Sequence, residues 1–146
     1  MSIAIWPQDL PQRVLADGYQ EGVRDGRLVQ AMDKGPPKMR RRTSAAVKPV
    51  QAAMVVDFNG RARFERFWDD DTAGGVLPFY VRDQALDSLA LGVSADGEAA
   101  GPLLTAHGAP VLIAASWLCQ FAEEPPSVTA MDGIWFRISF GLLVLP

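Results

Sequence analysis

The chain has 146 residues, the size of one globular domain that buries its own core. Hydrophobic residues make up 49% and charged residues 21%, close to the averages for soluble domains, which excludes disorder as the main state. The net charge is −3, and a single cysteine and a single histidine exclude an internal disulfide and a Cys/His zinc cluster. The sequence has no apolar run of roughly 18 residues and no secretory leader pattern, so we expect neither a transmembrane helix nor a signal peptide.

Charge is divided unevenly along the chain. Residues 1–66 hold 12 basic and 7 acidic residues, a net charge of +5, whereas residues 67–146 hold 2 basic and 10 acidic residues, a net charge of −8. Such a division is typical of oppositely charged faces or of a basic arm on an acidic body, and both suit head-to-tail or ring assembly. Solvating charge in loops is the alternative, which the sequence leaves open.

Residues 1–38 are rich in proline and glycine, which interrupt any helical period. We therefore expect an extended N-terminal arm over residues 1–38, with a turn at Asp17–Gly18 and its best strand at residues 28–32.

The next segment predicts a half-buried strand followed by a helix. Apolar residues alternate from Pro49 to Phe58, which is the pattern of a strand with one buried face. Asn59–Gly60 then leads into a helix expected over about residues 61–72, which ends at Gly74–Gly75. Its aromatic stripe, at helical spacing, consists of Phe64, Phe67 and Trp68.

The second half of the chain predicts mostly strands, at residues 76–81, 117–122 and 134–144. Between them, residues 83–114 are predicted to form a hairpin insertion, with a turn signal at Asp96–Gly97 and a short internal repeat in which residues 101–106 resemble residues 109–114. One helix with six or seven strands indicates a single domain, 1–146, built as a β-sandwich or barrel with one flanking helix. The closing strand contributes Phe136, Ile138 and Phe140 to the predicted core.

No group of residues has the spacing of a catalytic or metal site. His107 stands alone in a predicted turn, and Cys119 lies in an apolar strand where nothing local would activate a thiol. Three consecutive acids, Asp69, Asp70 and Asp71, do not converge on one cation. We therefore predict no enzyme activity, no catalytic residue, no cofactor and no bound metal.

The strongest electrostatic feature is the basic run Lys38, Arg40, Arg41 and Arg42. In a strand Arg40 and Arg42 project to one side and Arg41 to the other, so the run does not line a single groove, and no aromatic residues interleave with it. Contact with an acidic protein surface is therefore favoured over nucleic acid, although both stay open. Asp69–Asp71 lie unfavourably near a predicted helix C-terminus, which indicates either a basic partner or a solvated turn.

Four phrases stand in a fixed order: LADGYQE at 15–21, MDKGPPKMRRRT at 32–43, FERFW at 64–68 with AGGVLPF at 73–79, and WFRISF at 135–140. In content and order they resemble the distal tail and M-like minor tail proteins of long-tailed bacteriophages and prophages. The resemblance covers about residues 10–80 and 115–146. The chain departs from simpler members by its greater length between Val81 and Ala115, so the family's contacts do not transfer to that insertion.

The resemblance implies a structural virion protein with a tail-tube-like fold. Such proteins form a six-membered ring at the distal end of the tail, assembled in the host cytoplasm. The ring lies between the tail-tube protein and the hub or tip proteins, around the tape-measure protein. On this view the interface residues are Lys38, Arg40, Arg41 and Arg42, with Asp69, Asp70 and Asp71 as intersubunit partners; neither a membrane nor a specific nucleic acid is a partner. The alternatives are another tail ring, such as a tail-tube or tail-terminator subunit, and an accessory DNA-binding or hydrolytic protein.

Overall fold

The computed structural model describes residues 2–95 and 98–146, and within them the chain is mainly β with one α-helix. The strands and the helix are, in chain order, β1 (Ala4–Ile5), β2 (Gln20–Glu21), β3 (Arg27–Gln30), β4 (Lys38–Arg41), β5 (Lys48–Val56), α1 (Phe58–Arg66), β6 (Phe79–Arg82), β7 (Gly92–Ala95), β8 (Glu98–Pro102), β9 (Ser116–Phe121), β10 (Ser127–Ala130) and β11 (Phe136–Val144). A π-helical turn, Phe67–Asp71, extends α1.

Seven strands form one mixed sheet in the order β1-β6-β9-β11-β5-β2, with β10 also paired to β11. The pairing of β1 with β6 is parallel and the others are antiparallel. β5 and β11 are its longest strands and pair along their whole length, from Lys48 opposite Val144 to Val56 opposite Phe136. This pair therefore forms the centre of the sheet.

Alternation along the two central strands sets the buried face, as the sequence predicts. In β5 the buried side chains include Val50, Ala52, Met54 and Val56, and in β11 they are Ile138, Phe140, Leu142 and Val144. The predicted strands at 117–122 and 134–144 are present as β9 and β11, but Ile134 lies before β11 and is 54% exposed. Phe58, assigned by alternation to the strand, instead begins the helix.

The helix begins at Phe58, three residues before the predicted start at about 61, whereas the π-helical turn carries it to Asp71, close to the predicted end at about 72. Asp57 is the N-cap: its Oδ1 accepts a hydrogen bond from the Gly60 backbone N–H at 2.8 Å. At the other end the Thr72 N–H bonds to the Phe67 carbonyl at 3.0 Å, an i→i+5 bond that makes the last turn π-helical.

The predicted aromatic stripe of the helix packs against the sheet. Phe64 and Phe67 are buried and Trp68 is partly buried. The ring centroid of Phe67 lies 5.1 Å from that of Phe79 and 5.4 Å from that of Trp6. Edge-to-face contacts of this kind add to the free energy gained by burying the rings.

The segment expected as an extended arm, residues 1–38, divides into two parts. Trp6 and Leu10 are buried in the core, so the first part packs against the body. From Val23 onward the chain leaves the body as the hairpin of β3 and β4, which forms a two-stranded sheet of its own. Sequence alone did not separate these parts, because Trp6 stands isolated between residues without a regular period.

Residues 83–114 form short strands outside the main sheet. β7 pairs with β8, and the predicted turn signal Asp96–Gly97 lies outside the described residues. The Thr105 N–H donates to the Ala109 carbonyl at 2.7 Å and the Val111 N–H donates to the Leu103 carbonyl at 2.8 Å, on either side of an antiparallel bridge between Leu104 and Pro110. The predicted hairpin of 101–106 with 109–114 is thus present but shorter, with pairing between residues 103–105 and 109–111. Within the described ranges, no helix is long and apolar enough to cross a membrane.

Candidate interaction surface

The hairpin of β3 and β4 carries the basic run. Its register places Arg27 opposite Arg41, Leu28 opposite Arg40, Val29 opposite Met39 and Gln30 opposite Lys38. Every residue of β4 is exposed, and so is every residue of β3 except the half-buried Leu28. Within the described parts of the chain the hairpin therefore touches solvent on both faces.

Basic and apolar side chains are mixed on each face of this hairpin. Cross-strand partners share a face, so Lys38 and Arg40 lie with Leu28, whereas Arg41 lies with Val29 and Met39. This register places Arg40 and Arg41 on opposite faces of the hairpin, as predicted, whereas Arg42 lies beyond the end of β4. Val29 is 50% exposed and Met39 56%. A surface that mixes cations with exposed aliphatic side chains suits a protein partner that is acidic and partly apolar.

Few of the hairpin's cations are neutralised within the chain. The Arg27 guanidinium forms an ion pair with Asp25, with Nε 2.8 Å from Oδ1. The hydrogen bonds that the Arg27 side chain and backbone N–H donate to this carboxylate lower the pKa of Asp25 to about 2. Among the described residues, no ion pair is made by the basic side chains that surround the hairpin tip and follow β4: Lys34, Lys38, Arg40, Arg41 and Arg42.

Backbone hydrogen bonds fix the base of the hairpin, where its two strands join the rest of the chain. The Arg42 and Thr43 backbone N–H groups both donate to the Gly26 carbonyl, at 2.7 and 3.2 Å. Nearer the body, the Lys48 ammonium lies 2.9 Å from a carboxylate oxygen of Glu21 and 4.8 Å from the Trp117 ring centroid.

The segment Asp17–Gly18–Tyr19 lies near this base of the hairpin. Gly18 has φ +81° in the predicted turn, and the Tyr19 hydroxyl donates a hydrogen bond to the Glu21 carboxylate. The hydrogen bonds from Tyr19 and Lys48 lower the pKa of Glu21, so this carboxylate stays charged beneath the hairpin. The hairpin thus projects from a fixed base.

The acids predicted as partners of the basic run lie at the far end of the helix. Asp69, Asp70 and Asp71 occupy the π-helical turn and are exposed. Asp71 has one basic neighbour, with Oδ2 3.6 Å from the Nη1 of Arg63. The chain does not bring these acids into ion pairs with its own hairpin, and any contact between the two sets would have to join two copies.

The residues considered for chemistry lie apart. His107 is exposed in the turn before Gly108, and Cys119 is buried in β9, where its thiol lies 3.6 Å from the Phe79 carbonyl oxygen. In the part of the chain that the structure describes, no three His, Cys, Asp or Glu side chains are grouped so that they could hold a metal ion.

Native Cys119 is expected to react with thiol reagents far more slowly than the same cysteine in the unfolded chain. Burial raises the pKa of the thiol to about 12. The pKa of the thiol is higher in the folded chain than in the unfolded chain. The contribution of this protonated thiol to the free energy of unfolding is therefore complete below pH about 9 and is lost as pH rises toward 12. Denaturation midpoints measured across this range should therefore fall more steeply for the native sequence than for Cys119→Ala. Equal slopes would contradict the burial of the thiol.

An apolar patch that the sequence pattern does not predict lies where the N-terminus of α1 meets the turn before β11. Phe58 is 61% exposed and Trp135 49%, and the Phe58 ring packs edge-on against Phe136 at 5.1 Å. The guanidinium of Arg61 covers the same Phe136 ring at 4.8 Å. Two residues placed on the core face by alternation, Phe58 and Ile134, are instead exposed, and Phe58 forms part of this patch. The Asp57 cap signal could have separated Phe58 from the strand.

Comparison of the chain with protein-family models, curated protein sequences and solved structures found no match.

Proposed function

We propose that the chain is a structural subunit of a bacteriophage tail, a distal tail or minor tail protein that forms a ring joining the tail tube to the tail-tip hub. The ring is a hexamer of this chain, located in the virion at the distal end of the tail. Its partners are the tail-tube protein, the tape-measure protein and the hub proteins. The four ordered phrases described above support this assignment, and they fall on the turn beneath the hairpin, the hairpin, the helix and β11.

The observation that carries the proposal is the exposed basic hairpin of β3 and β4. An isolated two-stranded hairpin is marginally stable in water, and this one leaves nearly all its side chains exposed. Each strand pairs only with the other within the described residues, so the outer edges of both are free to add to another sheet. A hairpin of this kind gains stability when a neighbouring subunit covers it.

The mainly β fold with one flanking helix is compatible with a tail-tube-like sandwich or barrel. In such a fold the long central strands would form the rigid wall of each subunit, while the hairpin and the 83–114 insertion would reach neighbours. β5 and β11, with nine residues each, suit that wall.

A DNA-binding role is the second candidate, because residues 27–42 contain six basic residues and one acidic residue. The apolar partners of Arg41 on its face, Val29 and Met39, favour a protein surface over a phosphate backbone. Affinity for duplex DNA that falls steeply with salt, together with the absence of binding to tail proteins, would support the DNA-binding alternative.

The proposal is tested by mixing the purified chain with tail-tube and hub proteins from the same source and measuring binding. We expect a stable complex with at least one of them, and loss of that complex or of ring formation when Arg40 and Arg41 are both replaced by glutamate. Glu65→Lys serves as the control, because Glu65 is exposed on α1 and pairs only with Arg61 within the described chain. Failure of the native chain to bind any tail protein and to self-associate would overturn the assignment.

A further inference from the structure

A groove of about 360 Å³ lies on the face of the main sheet opposite the helix. Its floor includes Ser139, Gly141 and Leu143, which alternate along β11 with the core residues, and Gln51, which pairs with Gly141 across the β5–β11 boundary. The buried face of the same strands carries Phe140, which stacks on Phe64 of the helix. Phe140 also lines the groove, so the groove lies directly behind this part of the core on the other face of the sheet.

Gly141 permits this shape. A Cβ at position 141 would lie 3.0 Å from the Ala122 Cβ and 3.2 Å from the Gln51 Nε2. With no side chain there, the segment after β9 approaches the sheet closely, and the Ala122 N–H donates to the Gly141 carbonyl at 2.9 Å. This segment, residues 122–127, forms the wall of the groove.

The wall makes the groove acidic. Glu123 and Glu124 line it, and none of its lining residues is basic. Neither glutamate forms an ion pair with any described residue, whereas Asp71 at the helix end has Arg63 nearby. On the floor, the side chains of Gln51 and Ser139 make no hydrogen bond within the described chain.

These features fit long cationic side chains. A guanidinium forms charge-assisted hydrogen bonds with carboxylates and further hydrogen bonds with amide and hydroxyl oxygens. The aliphatic stem of the same side chain packs on an apolar surface, which Leu143 supplies here. Among the described residues, most of the basic side chains that form no ion pair lie on the β3–β4 hairpin or directly beside it. The side chains of β4 are exposed, so they do not fill the groove of the same copy.

We propose that this acidic groove receives the basic β3–β4 hairpin of a second copy of the chain. The pairing is head-to-tail, because the hairpin of one copy meets a different surface on the next, and such contacts close into rings when the rotation allows. The inference rests on the proposed function, since it assigns the contact between neighbouring subunits of that ring. It places Glu123 and Glu124, rather than Asp69–Asp71, opposite the basic run.

Charge reversal tests the pairing by native mass spectrometry over a range of concentrations. The hairpin variant carries Arg40→Glu with Arg41→Glu, and the groove variant carries Glu123→Lys with Glu124→Lys. Each variant alone should associate at least about tenfold more weakly than the native chain, because like charges then face each other. An equimolar mixture should regain association, because each reversed surface then meets an opposite charge on the other variant. The control Asp69→Lys with Asp70→Lys should associate like the native chain.

The outcomes separate this inference from the proposed function. If the groove variant associates like the native chain while the hairpin variant does not, the hairpin docks elsewhere. That result overturns this inference but leaves the proposed ring unaffected. Failure of the mixture to recover association would also overturn it. A native chain that stays monomeric would overturn this inference, whereas the proposed function falls only if the chain also binds no tube or hub protein.

Discussion

Replacing Phe67 by alanine is expected to lower the free energy of unfolding by about 3–5 kcal/mol. The Phe67 side chain is fully buried. Its ring contacts Trp6, Phe79 and Phe121, with centroids 5.4, 5.1 and 6.4 Å away. Truncation removes buried apolar surface, leaves a cavity and breaks three aromatic contacts between the N-terminal segment, the helix and the sheet. Chemical denaturation monitored by tryptophan fluorescence and circular dichroism measures the loss.

Phe58→Ala is the matched control for that prediction. Phe58 begins the same helix but is 61% exposed, and its ring contacts Phe136 at the surface. We expect a loss of about 1 kcal/mol or less. Equal losses for the two variants would contradict the arrangement in which the helix fixes the core through Phe67.

Gly75→Ala is expected to destabilise the chain by about 2–4 kcal/mol, because two costs act at the same position. Gly75 has φ +84°, which disfavours any residue with a Cβ. An added Cβ would also lie 2.5 Å from the Cζ3 of Trp68, whose ring packs against Phe121 at 4.9 Å. The turn cannot open freely, because the Thr72 Oγ1 accepts a hydrogen bond from the Gly75 N–H and donates one to the Trp68 carbonyl.

The neighbouring glycine separates the two costs. Gly74 has φ +73°, but an added Cβ there meets nothing within 4 Å. Gly74→Ala should therefore cost only about 1–2 kcal/mol, from the backbone conformation alone. Thermal and denaturant unfolding of both variants checks the difference. If Gly74→Ala proves as costly as Gly75→Ala, the close packing of Trp68 over the turn is wrong.

Sequence alone predicted the parts of the fold that regular periodicity dictates. The alternation in β5 and β11 identified their buried faces, because a half-buried strand repeats every two residues. The spacing of Phe64 and Phe67 likewise identified the buried side of the helix. These patterns are local, so no tertiary information was needed.

The errors have physical causes that local patterns do not contain. Asp57 caps a helix that begins at Phe58, three residues before the expected start, so Phe58 belongs to the helix although it also fits the strand alternation. The strand β10 has every residue exposed, so it shows no apolar period, and β11 alone determines its position through pairing. Trp6 enters the core because β1 pairs with β6, which is distant in sequence.

The candidate interaction surface was predictable only in part. The basic residues of the hairpin were visible as a charge run, and their division between two faces followed from strand geometry. The acidic groove was not visible, because Gln51, Glu123 and Gly141 come together only when β5, β9 and β11 pair. A long-range assembly of this kind leaves no spacing pattern in the chain.

The mass of the native assembly tests the central claim most directly. Native mass spectrometry of the purified chain, alone and with tail-tube or hub protein added, should show a species containing six copies of the 15.8 kDa subunit. A chain that stays monomeric, and whose mass does not change when either tail protein is added, would contradict the account.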